Sequence, residues 1–208
     1  MTTPVKVSII YYSSTGNVHA LADAAADTAE KAGAEVRVRR APELAPEEAI
    51  RSNDAWLKNV ADTQHIPQAT PADVVEADVV LFGTPTRYGN IAAQLKQFID
   101  GLGPNWQRGE LADKVYAGFT STATAHGGQE TTLLALYNTI YHFGGIIVPP
   151  GYTDPSKFVD GNPYGVSHVS GQGDQPVGDV ELTAIDHMVR RAIGVAQQLK
   201  AGREALAA

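Results

Sequence analysis

Three short runs in this chain gather hydroxyls, amides and glycines behind apolar stretches. Ser13-Ser14-Thr15-Gly16-Asn17 follows the run Val5–Tyr12, and Thr84-Pro85-Thr86-Arg87-Tyr88-Gly89-Asn90 follows Val79–Gly83. Ser121-Thr122-Ala123-Thr124-Ala125-His126-Gly127-Gly128 follows a third such run that begins at Lys114. Hydroxyls and backbone N–H groups at the start of a helix suit an anion, above all a phosphate. The second run adds one guanidinium, Arg87, and one ring, Tyr88, which suit a planar, electron-rich ligand. In an open α/β sheet ligands bind at the carboxyl ends of the strands. Three polar loops on three strand ends therefore describe one composite site.

Each loop also has a plainer reading. The first is equally a helix N-cap followed by a turn. In the second, proline and glycine punctuate any strand-to-helix connection and Asn90 is a cap. The third is equally a flexible connection. The first loop has no Lys or Arg, but a hydrogen bond to a charged group contributes roughly 1.5–3 kcal/mol. Several of them hold a monophosphate without a counter-cation. Neither G-x-x-x-x-G-K-[ST] nor G-x-G-x-x-G occurs; Gly171-Gln-Gly-Asp-Gln-Pro176 fails at its last position. Val18 opens an alanine-rich helix directly after the first loop.

Outside the loops, His142 lies near the end of a helix, where a histidine is ordinarily a C-terminal cap. Trp106, in Gly103–Gly109, is either a lid or packing. The other histidines lack metal-ligand spacing, so no metal site is expected. The absence of G-x-S-x-G argues against an α/β serine hydrolase.

The elements that must position these loops follow from period and punctuation. Strands are expected at Val5–Tyr12, Glu35–Arg39, Asp78–Thr84, Lys114–Ser121 and Ile146–Pro149. Helices are expected at Val18–Lys31, Ile91–Gly101, Gln129–Phe143 and Val180–Lys200, with a frayed tail from Arg203 to Ala208. Residues 41–72 hold four prolines and read as a surface excursion with one short helix, Glu47–Val60. Residues 150–178 hold six glycines and four prolines and read as a long irregular loop, a candidate lid or subunit contact. Strands alternating with helices give a three-layer α/β/α sandwich around a five-stranded parallel sheet, with the flavodoxin-like order 2-1-3-4-5.

The 208 residues fit a single domain, 1–208. With no cysteine, disulfides, iron–sulfur clusters and cysteine nucleophiles are excluded. A net charge of −7 without a basic cluster argues against nucleic acid. No stretch has membrane-spanning length or signal-peptide pattern, so a cytoplasmic location is expected and no membrane partner.

Tyr11-Tyr12-Ser13, Gly83–Asn90, Ser121-Thr122 with Gly127-Gly-Gln-Glu130, Ile147-Val-Pro149 with Gly151-Tyr152, and Asn162-Pro-Tyr-Gly165 with the later Gly171-Gln-Gly-Asp174 occur in the order of one family. In these the chain resembles the WrbA-type NAD(P)H:quinone oxidoreductases, also called tryptophan-repressor-binding proteins. The resemblance covers almost the whole chain. It implies a flavodoxin-like enzyme with tightly bound FMN, NADH or NADPH as co-substrate, quinones as acceptors and a homotetrameric assembly. It implies that Ser13, Ser14, Thr15, Gly16, Asn17 and Val18 bind the FMN phosphate. Thr84 through Asn90, chiefly Thr86, Arg87 and Tyr88, would cradle the isoalloxazine, and Ser121 through Gly127 its other edge. His142 would belong to the flavin site and Trp106 to the substrate pocket. Thr15 stands where the family often has an aromatic residue against the nicotinamide nucleotide.

Three functions compete. A two-electron quinone reductase working by a ping-pong hydride mechanism needs a roofed pocket, which Trp106 and the 150–178 segment favour. A flavodoxin-type one-electron carrier needs an exposed flavin edge, and the acidic charge fits it. A regulatory interaction flavoprotein has no specific support in the residues.

Overall fold

Apolar, β-branched runs need cover on both faces, and a parallel sheet between two helical layers supplies it. The computed structural model describes residues 3–207. In chain order the elements are β1 (Lys6–Tyr11), α1 (Asn17–Lys31), β2 (Glu35–Arg40), α2 (Glu47–Arg51), α3 (Asp54–Asp62), α4 (Pro71–Val75), β3 (Val79–Arg87), β4 (Asn90–Ile91), α5 (Ala93–Asp100) and α6 (Gly103–Gln107). There follow β5 (Val115–Thr122), α7 (Gln129–Phe143), β6 (Ile146–Ile147), α8 (Lys157–Asp160), β7 (Val166–Val169) and α9 (Asp179–Ala207).

Side chains alternate between two cores. Val7, Ile9 and Tyr11 of β1 meet Leu21, Ala22 and Ala25 of α1 and Ile185, Met188 and Val189 of α9. Ile10, with Val80 and Phe82 of β3, meets Leu95 and Ile99 of α5 and Leu133, Leu136 and Ile140 of α7. The three layers are as the sequence predicts.

The sheet corrects the strand count. It has seven strands rather than five, in the order β2-β1-β3-β5-β6, with β4 on β3 and β7 on β5. β4 is a two-residue return that pairs antiparallel with Thr86 and Arg87. β6 pairs with Val115 and Tyr116, whereas β7 pairs with Phe119 through Thr122. The two share one place beside β5, and residues 148–165 are inserted between them. β7 is four residues long, contains Ser167 and His168, and is bracketed by Gly165 and Gly171. Turn residues on both sides hide it from a period-two reading.

The insertion is anchored from within. Lys157 is fully buried and donates to Asp160 at 2.6 Å and to the Gly165 carbonyl at 2.9 Å. Residues 150–178 are thus not an irregular loop. Residues 41–72 carry two helices, not one, and the start of α4: the expected Glu47–Val60 helix breaks at Ser52-Asn53, and the Asn53 side chain caps α3 through the Trp56 N–H at 3.1 Å. α9 runs on to Ala207, so the described part of the expected frayed tail is helical. Among the described residues no helix is long and apolar enough to cross a membrane.

A Cβ at Gly165 would meet the Gly118 carbonyl oxygen at 2.2 Å and Leu133 at 2.9 Å. Only glycine lets the chain enter β7 at this distance from β5. Gly165→Ala is expected to lower unfolding stability by roughly 1–3 kcal/mol in urea, the range for overpacking. An unchanged midpoint would show that β7 has room to move away.

Candidate active site

The carboxyl ends of β1, β3 and β5 lie on one edge of the sheet, with Tyr11 level with Gly83 and Phe119 while β3 and β5 run on to Arg87 and Thr122. At the first loop the chain turns through Gly16, whose φ of +100° falls in the left-handed region where a side chain is strained. The Gly16 N–H donates to Ser13 Oγ at 3.1 Å. Gly16 is also the N-cap of α1 and offers no capping side chain. The first N–H groups of α1 therefore point into the loop without intrahelical acceptors. Asn59 of α3, buried, donates its amide to the Ser13 carbonyl at 2.8 Å. Residues 41–72, read from sequence as a surface excursion, thus hold the loop in place from behind.

The second loop is a hairpin. Tyr88 at φ 54° and Gly89 at φ 76° form a two-residue turn with both φ positive, the geometry that joins β3 to β4. The Tyr88 side chain is fully exposed, and the Asn90 amide donates to its carbonyl at 3.3 Å. Thr86 bonds Thr132 of α7 through the two hydroxyls at 2.7 Å and accepts from the Gly89 N–H at 3.2 Å. Thr84 is buried and serves the sheet: its hydroxyl accepts from Ala92 N–H, and its carbonyl accepts from the Thr120 hydroxyl at 2.7 Å. Arg87 donates to Ser14 Oγ at 3.2 Å and to the Thr86 carbonyl at 2.9 Å, and so ties the first two loops together. Among the described residues it pairs with no carboxylate.

In the third loop Thr122 donates to the Thr124 carbonyl at 2.8 Å, and Gly127 N–H to the same oxygen at 3.0 Å. Thr124, Ala125 and His126 stand exposed at the tip.

These loops enclose a cleft of about 340 Å³, within the range of cofactor sites. Ser13, Ser14, Thr15, Asn17 and Val18 line one end, with Pro85, Thr86 and Arg87 beside them. Ser121, Thr122 and Ala123 form the floor. Ser170, Gly171, Gln172 and Gly173 form a further wall. That glycine-rich run fails as a dinucleotide fingerprint and shares in the family resemblance, but its position after a hidden strand concealed its place at the cleft. Among the described residues no carboxylate lines the cleft, and Arg87 is its one cation. In a chain of net charge −7, that composition fits a phosphate at the α1 end and a flat polar ring against Arg87. A larger cavity, about 480 Å³, lies between the end of α1 and α9. It opens at the amino ends of the strands, away from the loops where ligands bind in such sheets.

Trp106 and His142 do not line the cleft within one chain. The Trp106 indole donates to the His142 carbonyl at 2.6 Å, so the two stand together. His142 is thirteen residues along α7 from Gln129, about 20 Å from the cleft end of that helix at 1.5 Å per residue.

Glu43 braces the site from outside. Its carboxylate accepts from Tyr12 OH at 3.0 Å, Trp56 Nε1 at 2.9 Å, Gln94 Nε2 at 2.8 Å and the N–H groups of Leu44 and Ala45. Burial alone would raise its pKa, but the donors outweigh it and hold the carboxyl below its usual range. A depressed folded pKa contributes stability above the unfolded value of 4.5 and loses it as pH falls through the folded one. Glu43→Gln is expected to lower stability by about 1–3 kcal/mol at pH 7, because donors lose acceptors. It is also expected to flatten the acid limb of a stability–pH curve below about pH 5. An acid limb identical to wild type would show that Glu43 titrates alike folded and unfolded.

Comparison with known proteins agrees with this geometry. Residues 5–157 match the model of the NADPH-dependent FMN reductase family. An NAD(P)H dehydrogenase (quinone) of Deinococcus radiodurans is 44% identical, over 96% of this chain and 99% of its own. One of Aromatoleum aromaticum is 38% identical, over 97% and 100%. The crystal structure of a flavodoxin, WrbA-like protein from Agrobacterium tumefaciens superposes with a TM-score of 0.64 at 27% identity, over 93% of this chain and 98% of that one. The chain belongs to the NADPH-dependent FMN reductase family and, within it, to the WrbA-type NAD(P)H dehydrogenases (quinone).

Proposed function

We propose that this chain is an FMN-dependent NAD(P)H:quinone oxidoreductase acting in the cytoplasm as a homotetramer. The observation that carries the reading is the cleft itself: a phosphate-sized set of N–H and hydroxyl donors, next to a slot that has one guanidinium and no carboxylate. When bound, FMN supplies the redox chemistry, taking a hydride from NAD(P)H and passing two electrons to a quinone. The helix-start N–H groups of Asn17 and Val18, with Ser13 and Thr15, hold the phosphate. One such loop with no second pyrophosphate fingerprint favours FMN over FAD. Arg87, fixed between Ser14 and the Thr86 carbonyl, orients the ring edge. Backbone N–H groups of the 123–126 loop tip would stabilise negative charge on the reduced ring.

Trp106 and His142 act in this reading from a neighbouring copy, because in their own chain they stand together at the far end of α7 and do not line the cleft. There the indole stacks on the quinone and the imidazole gives a proton to the reduced product. Tetramer formation draws support from an exposed apolar face on the insertion. Phe158 is 72% and Val159 70% exposed, and the Tyr152 and Phe158 rings lie 5.0 Å apart. Such a face on a monomer marks a contact surface.

NAD(P)H and quinone are both flat and must use the same opening. The nicotinamide therefore leaves before the quinone enters. A one-electron carrier would need neither this alternation nor a roof.

Four outcomes check these statements. Flavin released by heat should run as FMN on chromatography, and recovery of FAD contradicts the single phosphate site. Ser13→Ala with Thr15→Ala should weaken FMN binding about 10- to 100-fold, as loss of charged hydrogen bonds implies, while unfolding shifts little. Light scattering at micromolar concentration with saturating FMN should give four times the chain mass, and a monomer would remove the roles given to Trp106 and His142. Initial rates with NADPH and benzoquinone both varied should give parallel double-reciprocal lines; intersecting lines mean that both substrates bind together.

A further inference from the structure

The Ser170–Gly173 wall of the cleft has two anchors. At one end Ser170 donates its N–H and its hydroxyl to the Thr122 carbonyl, at 2.8 and 3.1 Å. At the other end the anchor is a histidine. His168 is buried at 1% exposure, on β7 opposite Ser121 of the cleft floor. Its Nε2 lies 2.9 Å from the Gln175 carbonyl, the closing residue of the wall. Its Nδ1 lies 2.8 Å from Glu181 Oε1 on the first turn of α9. The second oxygen of Glu181 accepts from the Gly178 N–H at 3.1 Å. Both atoms facing the ring are therefore acceptors, and neither can donate. A neutral imidazole has one N–H and satisfies only one of them. The pair of bonds is complete only for the imidazolium.

We propose that His168 is a positioning residue for the flavin site: its doubly protonated ring clamps Gln175 to Glu181 and so sets the Ser170–Gly173 wall against the cofactor. This rests on the FMN reading above for its ligand, though not for the clamp. Loss of one proton breaks one of the two bonds and frees the wall from α9 or from β7. The cofactor must then order the wall as it binds, and its apparent affinity falls by the fraction of chains in which the wall is already placed. The paired bonds need the charged ring, so cofactor retention becomes pH-dependent through a residue that does not line the cleft. The charged groups around the ring are few. α9 contributes Glu181. Behind it α8 contributes Asp160, whose carboxyl is raised by burial and by Glu181, and its partner Lys157. β5 contributes the uncharged Ser121. The wall contributes Asp174, which is occupied by the Gln172 N–H at 3.1 Å.

The test has two arms on the full chain. In the first, amide hydrogen exchange of residues 170–178 is followed in cofactor-free protein at pH 6 and pH 8 and corrected for intrinsic rates. The corrected exchange should be faster at pH 8 in wild type, and fast at both pH values in His168→Gln, whose single amide nitrogen cannot bridge both acceptors. In the second, FMN affinity is measured by quenching of flavin fluorescence across the same range. His168→Gln should bind about tenfold more weakly at pH 6, and the gap to wild type should close by pH 8. Every group other than residue 168 is common to both proteins and cancels from this difference. Glu181→Gln, which keeps an acceptor for His168 but removes its charge, should fall between the two.

Equal corrected exchange at both pH values in wild type, or an affinity gap that does not depend on pH, overturns the proposal. If wild type takes up no FMN, the cofactor reading fails while the exchange arm still decides on the clamp. If His168→Gln does not fold, the wild-type exchange comparison decides alone.

Discussion

The site depends on the parallel register of three strands. Tyr11 of β1 pairs with Gly83 of β3, and Gly83 with Phe119 of β5. This brings three chain segments to one edge at the same height. Phe119 packs where a Gly83 side chain would stand, within 2.3 Å of an added Cβ, so the strands interlock there. The first and third loops that leave this edge run straight into α1 and α7, and so deliver helix starts with unpaired N–H groups. Ligand chemistry at the edge is a consequence of strand direction. The opposite edge has the larger cavity but receives helix ends and no comparable donors.

Charge distribution reinforces this polarity. The chain is acidic, and its carboxylates are largely committed away from the cleft: Asp73 to Arg39, Glu76 to Arg37, Asp78 to Lys200, Asp160 to Lys157. Glu43, bonded to Tyr12 just before the first loop, is covered by five donors that each belong to a different residue. Its charge braces the site without facing it. Arg87 is left as the cation of the cleft, held by oxygens that carry no full charge. A dianionic phosphate at α1 and an electron-rich ring beside Arg87 are the guests such an environment accepts.

Much of this was legible in the residues. The apolar runs of β1, β3 and β5 and the polar loops after them stand out because buried parallel strands carry no compensating polar positions. α7 was readable to the residue, since Gly128 and Gly144 punctuate both its ends. The misses have two causes. β7, α8 and the Ser170–Gly173 wall lie in a stretch where glycine and proline dominate, and local turn chemistry masks elements that tertiary pairing creates. Asn59 and Glu43 were missed because their partners are distant in sequence, 46 and up to 51 residues away. Side-chain types at those positions show nothing of it. Trp106 and His142 were read from family resemblance, and the single chain holds them together but far from the cleft.

The central claim is that FMN occupies the cleft at the carboxyl edge of β1, β3 and β5. Backbone amide exchange with and without FMN tests it most directly. The account predicts protection on FMN addition at Gly16–His19, Thr86–Gly89, Ser121–Gly127 and Ser170–Gly173, with the strongest effect at the start of α1. Protection confined to Ala32–Ala34 and the Ile193–Ala201 face of α9, around the opposite cavity, would contradict it.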